Sequence, residues 1–191
     1  EGDIRWDVLI IGGGITGIMC AEALAREGVD YALVTAGRIC DGTTSHTTAK
    51  ITVQHGLIYD KILRTRGFEI AEGYILGAEM ALSRLWRMCE EIDCDFRVAD
   101  SYVYMTGSPS PLERQCRAYE KLGRHAEIAD THEIPIETAG AVVIRNQACF
   151  HPLKFLYSAA SGLNIYENTR VMRIEDDYAL YERGKIFAKN I

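Results

Sequence analysis

Apolar and polar positions along the chain form short blocks whose period changes several times. Trp6 to Ile11 is a nearly continuous apolar run and reads as a strand buried on both faces. From Ile15 to Glu27 the residues Ile18, Ala21 and Ala25 keep helical spacing, and Gly28 closes that helix. Tyr31 to Val34 is a second buried strand. Strand, glycine turn, helix and strand make a βαβ unit of about 30 residues.

The pattern then loosens. Ala36 to Gln54 is polar, rich in threonine and too irregular for an element. His55 is placed at the start of a helix, in a capping role. A long helix is predicted from about Gly67 to Glu91, with Leu76, Met80, Leu85 and Met88 on its apolar face. Phe96 to Met105 reads as strand or hairpin. In "GSPSPLERQ", Ser110 has the place of an N-cap, Pro111 the first helical position and Glu113 the third residue on, and the helix is predicted to reach about His125. Ala141 to Arg145 reads as a strand, and His151 to Gly162 as a helix with Pro152 in its first turn. The alternating tail has turn signals at Glu167-Asn168, Asp176-Asp177 and Gly184, which predicts three or four short antiparallel strands. No repeat or low-complexity linker marks a single boundary. The second layer is expected as an insertion into the first, with segments 1–75, 76–145 and 146–191.

The 191 residues carry a net charge of −6, which removes electrostatic support for a nucleic-acid partner. No apolar run approaches the roughly 20 residues of a membrane span, and the apolar start is broken by GGG, so neither a membrane anchor nor a secretory signal is expected. The chain starts with Glu1 instead of Met, which points to trimming or processing. The six cysteines form no C-x-x-C pair. Cys89 and Cys94, five apart on the long helix, are expected on different sides. Reduced, mostly buried thiols in a cytoplasmic protein fit this usage, and no metal or iron–sulfur motif stands out.

Gly12, Gly14 and Gly17 fit G-x-G-x-x-G directly after a strand and at the opening of a helix. Gly12 permits the tight turn, Gly14 lets a pyrophosphate approach the backbone, and Gly17 lets helix pack on strand. The helix N-terminus offers N–H groups and a positive dipole end. The fold class is α/β, a Rossmann-like FAD/NAD(P)-binding domain interleaved with a partial α+β domain. Such folds place an acid about 20 residues on, for the adenosine ribose. Here Thr35 holds that place, a neutral and shorter partner. By this reading a carboxylate at position 35 is expected to tighten the nucleotide by about tenfold. The loop "GRICDGTTSHTTAKITVQHG" then replaces the β-α alternation of a nicotinamide dehydrogenase and suits an extended ligand.

The glycine turn, "GTTSHTTAK" and "HPLKFLYSAASGLNIYENTRVMRI" resemble the glycine oxidase/D-amino-acid oxidase superfamily of FAD-dependent oxidoreductases. The likeness is greatest to a subgroup that often carries a C-terminal Rieske iron–sulfur domain, absent from this chain. The resemblance implies FAD as cofactor and a small amine or amino acid as substrate, oxidised at a C–N bond. It implies that Gly12, Gly13, Gly14, Ile15, Thr16 and Gly17 hold the pyrophosphate. Thr35, Ala36 and Arg38 would lie near the adenosine, and Thr43, Thr44, Thr47, Thr48, Ala49 and Lys50 nearer the flavin. The backbone of Val171 would meet the adenine. Segments 1–75 and 146–191 would then belong to the FAD-binding domain and 76–145 to the substrate domain.

Two departures stand against the resemblance. The family has an acid where this chain has Thr35. It also continues beyond "KIFAKNI", so the chain reads as a fragment whose last strand leaves an unpaired apolar edge. His46 and Lys50 lie in the loop assigned to the flavin, and His151 is structural, so no catalytic residue is assigned. A nicotinamide-dependent dehydrogenase and a weakly binding or non-binding remnant remain open readings. A homo-oligomer is compatible with either.

Overall fold

A computed structural model of the chain describes residues 5–131 and 135–191. Glu1, on which the reading of a trimmed start rests, lies outside them. In chain order the elements are β1 (Arg5–Ile11), α1 (Ile15–Arg26), β2 (Tyr31–Val34), a 3-10 turn (Thr43–His46), β3 (Lys50–Ile51), α2 (Ile58–Arg66), α3 (Phe68–Glu91) and β4 (Arg97–Tyr104). They continue with α4 (Ser110–Lys121), β5 (Glu127–Ala129), β6 (Ala141–Cys149), α5 (Pro152–Ala159), β7 (Ile165–Tyr166), β8 (Val171–Ile174), β9 (Tyr178–Tyr181) and β10 (Gly184–Asn190). The chain divides into two compact units. One comprises the described part of Glu1–Thr48 with His151–Ile191, the other Ala49–Phe150. The boundaries expected at residues 75 and 145 fall inside α3 and β6. They move outward because β3 pairs with the end of β6, Lys50 opposite Cys149 and Ile51 opposite Ala148.

The first unit is a six-stranded sheet in the order β7-β2-β1-β10-β9-β8. β2 is buried at all four positions. β1 is more open than its apolar run predicts: Leu9 is buried, but Ile11, beside the glycine turn, is 40% exposed. Leu9, Ala32, Val34, Ala179 and Ala188 form a core here, with Trp6, Val171 and Ile186 against it. The tail is only partly the expected antiparallel meander. β8, β9 and β10 are antiparallel to one another, but β10 pairs parallel with β1 and β7 pairs parallel with β2. This corrects a second expectation. The final strand is not an edge, because β1 covers one side of it and β9 the other; the edges are the short β7 and β8.

In the second unit β6 is central. β4 pairs along one side of it, and β3 and β5 pair at its two ends. β3 and β5 are too short for alternation to reveal, and β6 runs further than Arg145. Tyr59, Ala71, Ile75, Leu112, Tyr119 and Val142 form the core with α2, α3 and α4. The buried stripe of α3 is Ala71, Ile75 and Cys89, with Ala78 and Leu82 partly covered, whereas Leu76 is 45% and Met80 73% exposed. The buried face is therefore rotated away from Leu76 and Met80 in the first half of the helix, whereas Leu85 and Met88 are partly buried as predicted. Ala71 and Ile75 pack in one core with Tyr59 of α2. α2 starts at Ile58, not at His55, whose Nδ1 lies 2.9 Å from the Tyr74 hydroxyl. α4 starts at Ser110 itself, so Ser110 is not its cap. It stops short of His125 because Gly123 turns at φ +68° and its N–H bonds back to Glu120 O.

All six cysteines are free. α3 ends before Cys94, and the chain turns back through Asp95 at φ +53°. Cys89 and Cys94 are therefore not on different sides. Both are buried, and burial first, then the hydrogen bond to Cys94, pushes the Cys89 thiol up to about 12. Among the described residues no helix is long and apolar enough to cross a membrane.

One ion pair ties α3 to the turn after α4. Arg124 donates from Nε to Glu79 Oε1 at 2.9 Å and from Nη2 to Oε2 at 2.7 Å. That guanidinium holds the Glu79 carboxyl below its ordinary value. A depressed carboxyl pKa adds stability above the ordinary glutamate range and loses it as pH falls through the folded value. Glu79 is 37% exposed, so water limits the effect. We expect Glu79→Gln to cost about 1 kcal/mol at pH 7. Thermal melts at neutral pH and below about pH 4 check this, because the gap between variant and parent should close in acid.

Candidate cofactor-binding site

The glycine turn joins β1 to α1 inside the first unit. Gly12 adopts φ +117°, open to glycine and strained for other residues, and its N–H donates to Val34 O at 2.8 Å. A Cβ on Gly17 would lie 1.9 Å from Gly12 O, so α1 packs on the strand end with no room for a side chain. Gly13 is close-packed as well, for its Cβ would stand 3.0 Å from Thr35 Cβ and Oγ1 and 3.1 Å from Ile39 Cγ2. Sequence spacing gave no reason to single out Gly13.

Gly14 differs. It occupies the N-cap position of α1 with no side-chain cap, and a Cβ there would meet only Thr44 Oγ1, at 3.2 Å. The Thr44 hydroxyl accepts from Ile15 N at 3.2 Å, so the 3-10 turn contributes a group at the helix mouth. Its own proton remains available for donation. A helix end in which a glycine is the cap and a hydroxyl stands beside it suits an anion. A pyrophosphate therefore fits these residues on their own geometry.

Hydrogen bonds anchor the loop after β2 to the glycine turn and to residues 167–168, where Asn168 N donates to Gly37 O at 3.1 Å. Cys40 N donates to Gly13 O at 2.8 Å, and Ile39 N donates to Glu167 Oε1 at 2.8 Å. Burial and then the neighbouring Asp41 charge push the Cys40 thiol up. Thr35 is 8% exposed and sits against Gly13. Its N–H donates to Tyr166 O and its carbonyl accepts from Thr169 N. A longer, charged side chain here would enter a closed space, which removes the basis for expecting a carboxylate at 35 to tighten a nucleotide.

Ala36 and Arg38 are exposed, and Arg38 N donates to Asp41 Oδ2 at 3.3 Å. Thr43, Thr47 and Thr48 are exposed in or beside the 3-10 turn, whereas Thr44 is buried. Val171 is half-buried at the start of β8, and the register against β9 shifts between it and Arg173. These residues belong to the first unit with the glycine turn. Ala49 and Lys50 belong to the second. Ala49 is buried at φ +45°, and Lys50 is exposed opposite Cys149. His46 ends the 3-10 turn, exposed. His151 caps α5, its Nδ1 accepting from Lys154 N at 3.3 Å.

The profile of the DAO family, FAD dependent oxidoreductase, matches residues 7–188. The chain belongs to this family of FAD-dependent oxidoreductases. It is 36% identical over 197 residues to the putative Rieske 2Fe-2S iron-sulfur protein YhfW of Bacillus subtilis (strain 168), across 98% of this chain and 38% of that protein. It is 29% identical over 207 residues to gamma-glutamylputrescine oxidoreductase of Escherichia coli (strain K12), across 98% of this chain and 48% of that protein. The crystal structure of glycine oxidase from Geobacillus kaustophilus superposes with a TM-score of 0.68 at 19% identity, over 97% of this chain and 54% of that one. That likeness confirms the Rossmann-like α/β fold expected of a DAO-family chain. The chain spans less than half the length of either curated relative.

Proposed function

We propose that this DAO-family chain holds FAD for an oxidoreductase that oxidises a C–N bond in a small amine or amino acid. One observation carries the cofactor assignment: the mouth of α1 at Gly14, where the cap residue has no side chain and the Thr44 hydroxyl accepts from Ile15 N. Thr44 Oγ1 takes the Ile15 N–H, whereas the N–H groups of Thr16 and Gly17 lack acceptors within the helix and can bind pyrophosphate oxygens. Gly12, Gly13, Gly14, Ile15, Thr16 and Gly17 form that cradle, with Thr35, Ala36 and Arg38 toward the adenosine. Val171 is assigned to the adenine through its backbone. Thr43, Thr44, Thr47 and Thr48 are assigned to the flavin side. FAD, when bound, supplies the hydride acceptor. The chain's own residues bind and orient it, and no catalytic residue is assigned among them.

The substrate class is supported by the names of two similar proteins, one acting on gamma-glutamylputrescine and one on glycine. We assign the FAD-binding role to the first unit and a part in substrate binding to the second. Six free cysteines support a cytoplasmic setting.

The test is a visible spectrum of the purified protein, with the nucleotide released on denaturation identified. Flavin bands and FAD are expected. A colourless protein that releases no nucleotide and takes up no added FAD would overturn the proposal, and release of a nicotinamide nucleotide would replace it.

A further inference from the structure

The ribose of a bound dinucleotide calls for an acceptor at the carboxyl end of β2, and the residue there is a buried threonine. Residues 166–169 close over that strand end, through Thr35 N to Tyr166 O at 3.0 Å and Thr169 N to Thr35 O at 2.8 Å. Glu167 stands within this closure. Its Oε1 accepts from Ile39 N at 2.8 Å, and the next residue in that loop, Cys40, donates its N–H to Gly13 O at 2.8 Å. Consecutive Cα atoms are about 3.8 Å apart, so the carboxylate is held within about one residue of the loop's anchor on the glycine turn.

The topology places this group on the ligand side. β7 runs parallel to β2 and ends at Tyr166, so Glu167 lies just past the carboxyl end of a parallel strand. Open α/β sheets take their ligands outside those ends. The Glu167 side chain is exposed, and the bond to Ile39 N occupies one oxygen, which fixes the carboxylate and leaves Oε2 to accept.

We propose that Glu167 supplies the ribose-binding carboxylate this chain lacks at position 35, accepting from the adenosine ribose hydroxyls of FAD. The proposal rests on the FAD reading above. The competing role is a lock that only fixes the loop after β2. Glu167→Gln separates the two, because the amide oxygen still accepts from Ile39 N while the charge is lost. Charge-assisted hydrogen bonds are about twice as strong as neutral ones.

The test titrates FAD into the full chain and Glu167→Gln by flavin fluorescence, and measures ADP and 2′-deoxy-ADP as competitors of FAD. We expect Glu167→Gln to weaken FAD by about tenfold with an unchanged melting temperature. The parent should prefer ADP over 2′-deoxy-ADP, and the variant should lose that preference. The ratio of the two competitors is internal to each protein, so it decides the matter even in a partly destabilised variant. Equal FAD affinity and an equal competitor ratio in both proteins would overturn the role of Glu167 and leave the FAD reading standing. A parent chain that binds neither FAD nor ADP would overturn both.

Discussion

Gly14→Val abolishes FAD retention and leaves the fold standing: that is the outcome expected from the helix mouth. Gly14 has φ −85° and ψ −174°, a backbone that valine adopts without strain. The new Cβ would meet only Thr44 Oγ1, at 3.2 Å, so that side chain must give by a few tenths of an ångström. The folding cost is therefore small, about 1 kcal/mol or less. The ligand cost is large. An anion must come within about 3 Å of the N–H groups here, and two branched methyls occupy that space. Each hydrogen bond to a charged group that is lost costs about 1.5–3 kcal/mol. Two such losses weaken FAD by at least about a hundredfold. Flavin fluorescence titration, run beside a thermal melt, checks both halves. A variant that binds FAD as tightly as its parent would move the phosphate away from Gly14.

Gly17→Ala has the opposite signature, loss of the fold. Its Cβ would stand 1.9 Å from Gly12 O and 3.1 Å from Gly12 C, both backbone atoms. Neither can yield, because Gly12 is held at φ +117° by its N–H bond to Val34 O. The helix must then lift from the sheet and uncover Ile18 and Ala21, both fully buried. The upper end of overpacking costs, about 3 kcal/mol or more, is the appropriate scale. Domain stabilities of about 5–15 kcal/mol leave little reserve against it. Urea unfolding should show a sharply lower midpoint at an unchanged slope. A midpoint equal to the parent's would mean that α1 and the end of β1 do not meet as described.

These paired substitutions also mark what was legible in the chain. The βαβ unit and its turn could be read directly, because their rules are local. Strand, glycines and helix lie within residues 5–34, and each glycine's role follows from backbone sterics over a few residues. The family likeness extended that reading across residues 7–188. The apolar face of α3 was read only in part, since Leu85 and Met88 are partly buried but Leu76 and Met80 are exposed. Leu76 and Met80 are large and well spaced, yet Ala71 and Ile75 are the residues that join the core with Tyr59 of α2.

The sequence by itself determined the glycine turn, the helix it opens and the class of ligand that turn accepts, because the glycines permit those backbone angles and the strand that holds them lies within the same βαβ unit. Only the tertiary structure decided that β10 lies inside the sheet, since its alternation is the same whether β1 covers it or not. It also decided that Thr35 is closed off and that Glu167 reaches the neighbouring loop. The partners Ile39 and Glu167 stand 128 residues apart, and no local pattern carries a contact that the parallel pairing of β7 with β2 creates.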